Sequence, residues 1–235
     1  LDKSDYGTLI LTAEDLYTGG TTISGGALQL GDGGTTGSIL GEVSNDGTLV
    51  FDRSNTLAMD GFILGSGALE QQGSGTTVLS ADNTYSGTTA VRSGSLIVNG
   101  DQSIATGTTS VDSGGTLGGK GTIGGDVNIA DGGTLSPGDV GNAPGTLTIK
   151  GNLALSDTSN LNVNMGQANV VGGPLNDLVQ VAGDLALDGT LNVDVSSGGS
   201  FGAGIYRIVG YDGALNDAGL NIGSVPSTDY FLQTS

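Results

Sequence analysis

The sequence predicts an all-β protein built as a right-handed parallel β-helix, a solenoid with roughly twenty residues per coil. Three observations predict it: a segment that occurs twice, a Gly-x-Leu tripeptide that recurs along the chain, and many short alternating runs bounded by turn residues. No stretch has the apolar spacing and the caps of a long helix, so bundles and doubly wound α/β folds are excluded.

The duplicated segment occupies positions 11–30 and returns at positions 79–98 without a gap, so every pair of equivalent positions is separated by the same offset. With the flanking turns, we expect the two repeats to cover about 7–40 and 75–107. A fixed internal period is typical of a solenoid rather than of one closed core. The positions that define the repeat are Tyr17, Gly19, Gly26 and Leu28 in the first copy, and Tyr85, Gly87, Gly94 and Leu96 in the second.

A shorter period lies within this one, because the tripeptide Gly-(Thr/Ala/Ser)-Leu recurs once per coil. We expect its leucines to stack into an interior ladder, while the Asn and Thr residues between them face water. An antiparallel sandwich would give no reason for this recurrence, and the crossover rule for parallel strands predicts the right-handed form. The leucines are Leu9, Leu28, Leu49, Leu69, Leu96, Leu117 and Leu135.

Charge and composition exclude several classes of partner. The formal net charge is −18, with only six Lys and Arg residues, so a nucleic acid or an anionic membrane surface is an improbable partner. The acids lie mostly in Asp-Gly and Gly-Asp steps, which are typical of turns. Without cysteine the chain has no disulfide and no thiolate metal site, and no apolar run is long enough to span a bilayer.

The sequence contains fragments of catalytic motifs, and each has a structural explanation. Ser200 lies in a Gly-x-Ser-x-Gly stretch, but the chain has no histidine to accept its proton. Positions 119–124 match a dinucleotide-binding fingerprint, yet a strand rather than a helix is predicted to follow. A carboxylate site could be formed by Asp112, Asp126 and Asp131 near Lys120, but three separate turn positions are the simpler explanation of these residues. We therefore predict no catalytic residues, no metal site, no cofactor and no small-molecule substrate.

Tyr17 and Tyr85 occupy the same position in the two repeats. We expect each ring to brace the edge of a coil with its hydroxyl at the surface, and a stacking surface for sugars is the alternative.

Two stretches resemble bacterial autotransporters. Positions 83–87 (Asn-Thr-Tyr-Ser-Gly), followed by Gly94-Ser95-Leu96, resemble the passenger-associated transport repeat of that family, from which the first copy departs at Asp15 and Leu16. Positions 176–193 and 201–213 are similar to the autochaperone region at the C-terminal end of such passengers.

The resemblance implies two units, β-helical passenger coils over 1–174 and an autochaperone-like cap of the same helix over 175–235. In the family such a cap seeds passenger folding during secretion. We expect Arg207 to pair with a nearby carboxylate such as Asp212. The candidate seed residues are Tyr206, Arg207, Ile208, Tyr211, Leu215, Leu220 and Ile222.

The function that the resemblance implies is a non-catalytic, membrane-proximal stalk of a cell-surface adhesin or aggregation and biofilm factor. Its partners would be its own outer-membrane β-barrel translocator and a host-surface or matrix protein, a glycan or another copy of itself. The location would be the surface of a Gram-negative bacterium. Two alternatives stay open: a stalk that carries an upstream subtilisin-like protease or esterase, and a free-standing polysaccharide-processing β-helix.

Overall fold

The computed structural model describes residues 1–227 and 229–234. Thr228 and Ser235, which belong to the predicted cap, lie outside the described residues. The described chain contains 27 short strands and no helix, as its many turn residues predict.

In chain order the strands are β1 (Asp2–Lys3), β2 (Thr8–Leu11), β3 (Thr21–Ile23), β4 (Ala27–Leu30), β5 (Val43–Asn45), β6 (Thr48–Phe51), β7 (Thr56–Met59), β8 (Ile63–Leu64), β9 (Ala68–Gln71), β10 (Thr76–Leu79), β11 (Thr89–Val91), β12 (Gly94–Val98), β13 (Asp101–Gln102), β14 (Thr109–Val111), β15 (Gly115–Gly119), β16 (Thr122–Ile123), β17 (Val127–Ile129), β18 (Thr134–Pro137), β19 (Thr146–Ile149), β20 (Leu153–Leu155), β21 (Asn160–Met165), β22 (Leu178–Val181), β23 (Leu185–Leu187), β24 (Thr190–Val195), β25 (Val209–Tyr211), β26 (Leu215–Asp217) and β27 (Asn221–Ile222).

The strands form four sheets in which neighbouring strands are parallel and come from successive coils. The largest is ten-stranded, with the order β2-β4-β6-β9-β11-β14-β17-β20-β23-β26, and the next is eight-stranded, with the order β27-β24-β21-β18-β15-β12-β10-β7. A four-stranded sheet, β1-β3-β5-β8, and a five-stranded sheet, β13-β16-β19-β22-β25, both precede the ten-stranded sheet along each coil. This arrangement confirms the predicted parallel β-helix, and its handedness stays a prediction.

The face of the coil that the four-stranded and five-stranded sheets form is interrupted between β8 and β13. There the segment around Asn83 has no strand, although it still hydrogen-bonds to the preceding coil. Asn83 Oδ1 accepts the N–H of Ile63 at 2.8 Å, and Thr84 donates its N–H to the Ile63 carbonyl at 2.9 Å. The side chain of Asn83 and the backbone of Thr84 therefore replace the strand that is missing from this face.

Six of the seven leucines of the Gly-x-Leu tripeptide lie inside as predicted, but they form two ladders instead of one, and Leu9, in the first coil, is only half-buried. Leu28, Leu49 and Leu69 stack in the ten-stranded sheet and are fully buried. The other three, Leu96, Leu117 and Leu135, are also fully buried but stack in the eight-stranded sheet. The change of ladder explains why the sequence step from Leu69 to Leu96 is the longest in the series: it comprises one coil and one additional face.

The two sequence repeats consequently lie on different faces of the solenoid. Positions 21–23 of the first copy form β3 of the four-stranded sheet. The equivalent positions 89–91 of the second copy form β11 of the ten-stranded sheet. Along the ten-stranded sheet, Leu28 is in register with Leu49, Leu69 and then Thr89, three coils later. The offset between the two copies is therefore three coils plus one face.

The expectation that Asn and Thr residues between the leucines face water is wrong at several positions. Asn45, Thr77 and Thr89 are buried in the core. Asn45 Nδ2 donates to the Ala68 carbonyl at 2.9 Å, and the Thr77 hydroxyl donates to Gln71 Oε1 at 2.7 Å. These residues are tolerated inside because the next coil, for Asn45, or an adjacent part of the same coil, for Thr77 and Thr89, supplies a hydrogen-bond partner. Within the described chain, three buried side-chain polar atoms have no hydrogen-bond partner: Asn83 Nδ2, Gln102 Nε2 and Ser159 Oγ.

One corner of the coil, immediately before the ten-stranded sheet, is a column of glycines. A Cβ added to Gly87 would overlap the carbonyl oxygen of Gly67, and a Cβ added to Gly107 would overlap that of Gly87. Successive coils approach so closely here that only glycine fits. The column contains Gly47, Gly67, Gly87, Gly107, Gly125, Gly151, Gly183 and Gly213.

We expect Gly87→Ala to lower the free energy of unfolding by about 1–3 kcal/mol, because the methyl group forces the two coils apart. Gly19 is the matched control: it is the equivalent residue of the first repeat, but nothing lies within 4 Å of its added Cβ. Gly19→Ala should change the unfolding free energy by less than about 0.5 kcal/mol. Chemical denaturation measures both, and equal effects of the two substitutions would contradict the close approach at Gly87.

Candidate functional site

Three long loops lie at one corner of the coil, and they extend from the last predicted passenger coils into the predicted cap. The segments 138–145, 166–177 and 196–208 each connect the eight-stranded sheet to the five-stranded sheet, in three successive coils. They lengthen the coils, so that the register partners Leu153 and Leu185 of the ten-stranded sheet lie farther apart in sequence than Thr89 and Thr109 do. We call these three segments the loop stack.

The second loop is organised by Asn176, whose side chain is almost fully buried. Its Oδ1 accepts the N–H groups of Gly166 at 2.9 Å and Gln167 at 3.0 Å. Its Nδ2 donates to the carbonyls of Gln167 and Val170, both at 2.8 Å. Because all four hydrogen-bonding positions of the amide are filled, this residue fixes the path of the loop.

Asp177 joins the first loop to the second and is completely buried. Its Oδ1 accepts the N–H of Gly145 at 2.8 Å, and its Oδ2 accepts the Asn164 N–H at 2.6 Å and Nδ2 at 3.0 Å. Burial raises the pKa of this carboxyl above its ordinary value, although the three donors act in the opposite direction. Within the described chain no cation forms an ion pair with it.

The third loop contains an aromatic cluster that holds the end of the described chain. Phe201 stacks on Tyr206 with ring centroids 4.5 Å apart, and Tyr230 lies 4.7 Å from Phe201. The hydroxyls of Tyr206 and Tyr230 both donate to the carbonyl of Gly202. A main-chain bond from the Ser200 N–H to the Gly166 carbonyl, at 2.8 Å, ties this loop to the second.

The predicted seed residues lie at the end of the third loop and in the last coil, whose strands have a neighbour on one side only. Strands β25, β26 and β27 pair with β22, β23 and β24 and with no later strand among the described residues. For this reason the apolar side chains are only half-buried, and Ile222 is 44% exposed. Those that pack against the core are Tyr206, Ile208, Tyr211, Leu215 and Leu220.

The expected ion pair of Arg207 with Asp212 is absent. Both residues are exposed, and no contact within salt-bridge distance joins them. The chain turns into β25 between these positions, so sequence proximity did not bring the side chains together.

The repeat-defining tyrosines differ from the sequence-based expectation. Tyr85 is buried and its hydroxyl bonds to Thr89 Oγ1 at 2.7 Å inside the core, so the expected surface hydroxyl and the sugar-stacking alternative are both wrong there. Burial raises the pKa of Tyr85 to about 12. Tyr17 makes the equivalent bond to Thr21 at 2.9 Å but stays half-buried, since it lies nearer the exposed first coil.

Gly26 and Gly94 are equivalent in structure as well as in sequence. Their φ angles are 65° and 60°, and at both positions a Cβ would overlap carbonyl oxygens of the preceding coil. Glycine is required at both positions for conformational and steric reasons.

The residues weighed as catalytic candidates occupy separate turn positions. Asp126 Oδ1 accepts the N–H of Asn152 at 2.8 Å, and Asp131 Oδ1 accepts that of Thr158 at 3.2 Å. Asp112 pairs with Arg92 at 3.4 Å, whereas Lys120 pairs with Asp139 at 2.8 Å. Over residues 1–227 and 229–234, no cluster of three or more acidic side chains could hold a metal ion, and no helix is long and apolar enough to cross a membrane.

Comparison with known proteins identifies the repeats. The family model of the passenger-associated transport repeat matches residues 1–30 and 69–98, two stretches with the same offset as the duplicated segment. The Adhesin BmaC autotransporter of Brucella suis biovar 1 (strain 1330) is 52% identical over 217 residues, or 92% of this chain. The chain is a segment of an autotransporter passenger.

The predicted resemblance to autotransporter passengers and their transport repeat is therefore confirmed, whereas the autochaperone-like cap over 175–235 stays a prediction. Passengers of this family are exported through the outer membrane of Gram-negative bacteria, which assigns the segment to the cell surface. The chain spans 6% of the length of the Brucella relative.

We expect Tyr85→Phe to lower the free energy of unfolding by about 1–3 kcal/mol, because it leaves the buried Thr89 hydroxyl without its partner. Tyr17→Phe removes the equivalent bond at a half-buried site and should cost less than about 1 kcal/mol. Thermal or chemical denaturation of the two variants checks the difference. A larger effect at Tyr17 would contradict the burial difference between the repeats.

Asp177→Asn should destabilise the chain by about 1–3 kcal/mol, because one amide N–H would face a main-chain donor. The pKa of Asp177 is raised in the folded state, so its contribution to stability falls as pH rises above its ordinary value of 3.8 towards the folded pKa. The advantage of the wild type over Asp177→Asn should therefore be greatest in acid and smaller at neutral pH.

Asp184→Asn is the control for this pH series, since Asp184 Oδ1 only accepts the Ala214 N–H and Asn152 makes the equivalent bond one coil earlier. Urea titrations at a series of pH values measure both variants. A wild-type advantage that grows with pH would mean that the donors, not burial, control the Asp177 carboxyl.

Proposed function

We propose that this segment is a non-catalytic, membrane-proximal stalk of a surface adhesin or aggregation factor. The observation that carries the proposal is the 52% identity to a protein named an adhesin autotransporter across nearly the whole solenoid. Stacked coils that contact only their neighbours suit a spacer, because length can be added without changing any other contact. The relative's name gives no support to the alternative of a stalk that carries a hydrolase.

The absence of catalysis is also part of the proposal. Its support is the dispersal of Ser200, Asp126 and Asp131 among turns that each fill a local hydrogen-bonding role. Hydrolysis requires a nucleophile, a base and an orienting group within hydrogen-bonding reach of one another. The purified chain should therefore show no turnover of peptide, ester or acidic polysaccharide substrates. Turnover that Ser200→Ala or Asp126→Asn abolishes would overturn this part of the proposal.

The partners that we propose are the outer-membrane β-barrel translocator of the same protein and a host-surface or matrix component, a glycan or a second copy of the passenger. The match to the autotransporter family supports the translocator in general terms. Bacteria that display the full-length protein should adhere or aggregate, and shortening this segment by whole coils should preserve adhesion while surface display is maintained. Loss of adhesion at unchanged display would mean that the segment itself carries the binding function.

We further propose that residues 175–235 act as the folding seed of the passenger. The aromatic cluster of Phe201, Tyr206 and Tyr230 and the bonds within the loop stack supply contacts that the N-terminal coils lack. Folding of a one-dimensional assembly can nucleate in any repeat and propagate to its neighbours, so a repeat with additional contacts of its own is a favourable place for it to begin. We expect these contacts to stabilise the C-terminal end, although no further coil of the described chain covers the last one.

Deletion of residues 175–235 should slow or abolish refolding of the remaining coils, whereas deletion of residues 1–40 should remove coils without preventing it. Refolding from denaturant, followed by circular dichroism, distinguishes the two truncations. Limited proteolysis in partial denaturant should leave a core within the C-terminal third. A protected core at residues 11–98 would contradict the folding-seed role.

A further inference from the structure

A groove lies between the first loop of the loop stack and the outer face of the eight-stranded sheet. Its volume is about 150 Å³, roughly five times the ~30 Å³ that one water molecule occupies in the liquid. The groove is large enough for a single sugar ring. Its wall belongs to the loop stack, and its floor is the outer face of the sheet.

The floor of the groove carries hydroxyl groups at regular intervals. Thr76, Ser95 and Thr116 are in register on β10, β12 and β15, so their hydroxyls recur about every 4.8 Å, the spacing of adjacent strands. Beside them lie Ile97, which also lines the groove, and Gly118, whose missing side chain lets the Ile97 side chain and the Ser136 carbonyl approach closely. The floor therefore combines hydroxyls with one apolar contact surface.

The first loop forms the wall of the groove and is held in place by ionic and polar contacts. Asp139 pairs with Lys120 Nζ at 2.8 Å and accepts Asn99 Nδ2 at 2.9 Å. Val140, which is 49% exposed, and Asn142 complete the wall. The neighbouring Lys120 is occupied by Asp139, and none of the described residues that line the groove is a cation. The groove therefore offers carboxylate, amide and hydroxyl groups.

Asn164 is the decisive side chain, because it is buried yet lines the groove. Only 7% of the residue is exposed. Its Nδ2 must face Asp177, since a carboxylate accepts hydrogen bonds and the amide oxygen cannot donate one. No group of the described chain donates to its Oδ1. The buried carboxylate thus orients the amide and leaves an acceptor available to a ligand.

We propose that this groove binds a neutral carbohydrate. A pyranose ring has hydroxyls that can donate to Asn164 Oδ1 and to Asp139, hydroxyl oxygens that can accept from Thr116, and C–H groups that can pack on Ile97. The carboxylate and the net charge of −18 disfavour an anionic ligand. An added peptide strand is disfavoured because the floor is a sheet face whose main-chain groups already pair with adjacent strands. The site would give this segment a binding role in addition to the proposed stalk function, and titration of the isolated chain tests that role separately from adhesion by the full-length protein.

The test is NMR titration of the whole chain with methyl glycosides of glucose, galactose, mannose and N-acetylglucosamine, and with maltose, cellobiose and lactose. At least one of these probes should show saturation transfer and shift amide signals of residues lining the groove. Thr116→Val and Asn142→Gly should each weaken that binding by about tenfold or more, because each removes a hydrogen-bonding group. Glycine suits position 142, where φ is 58°.

Thr56→Val is the matched control, since Thr56 lies in the same column of the sheet two coils from Ser95 and does not line the groove. The Thr56→Val variant should bind the sugar probe with the same affinity as the wild type. Absence of binding by every probe, binding that both groove variants leave unchanged, or tighter binding of sialyllactose than of lactose would overturn the proposal. Unfolding curves of the variants establish that each is folded under the conditions of the titration.

Discussion

Main-chain hydrogen bonds between successive coils are the interaction on which the rest of the structure depends. All strand pairing within the four sheets is parallel, so each coil must present its N–H and C=O groups in register with the coils on both sides. The corner glycines permit this register, because at Gly87 and Gly107 any larger residue would meet the preceding carbonyl. Side chains then only have to fill the interior that the backbone has defined.

The sequence predicts the solenoid well because its period is a direct consequence of coil stacking. It predicts the inward position of Leu28 and Leu96 for the same reason, as a leucine is the simplest filling for an interior rung. It does not predict that these two residues lie in different sheets. The strands of the ten-stranded and eight-stranded sheets are similar in length and in their alternation of apolar and polar residues, so the sequence does not distinguish them. The hydroxyl of Tyr85 was wrongly expected at the surface because its partner, Thr89, comes within reach only through the fold itself.

The loop stack and the groove were beyond prediction for another reason. Nothing in the residues around Asp177 identifies Gly145 and Asn164 as its donors, because they come from two earlier parts of the chain. A buried carboxylate without a cation is costly, and its retention points to a specific arrangement of the neighbouring loops. In an autotransporter passenger, these elaborated coils lie at the end that we propose to fold first, next to a groove whose amide the same carboxylate orients.

The most direct test of the account is a series of distances along one column of the ten-stranded sheet. Gln29, Ala90, Asn128 and Ala186 belong to this column, and the absence of cysteine allows spin labels to be attached at chosen pairs. From Gln29, electron paramagnetic resonance should give about 14, 24 and 34 Å to Ala90, Asn128 and Ala186, because three, five and seven coils separate them at ~4.8 Å each. Distances that fail to grow in proportion to the number of coils would contradict the stacked parallel solenoid.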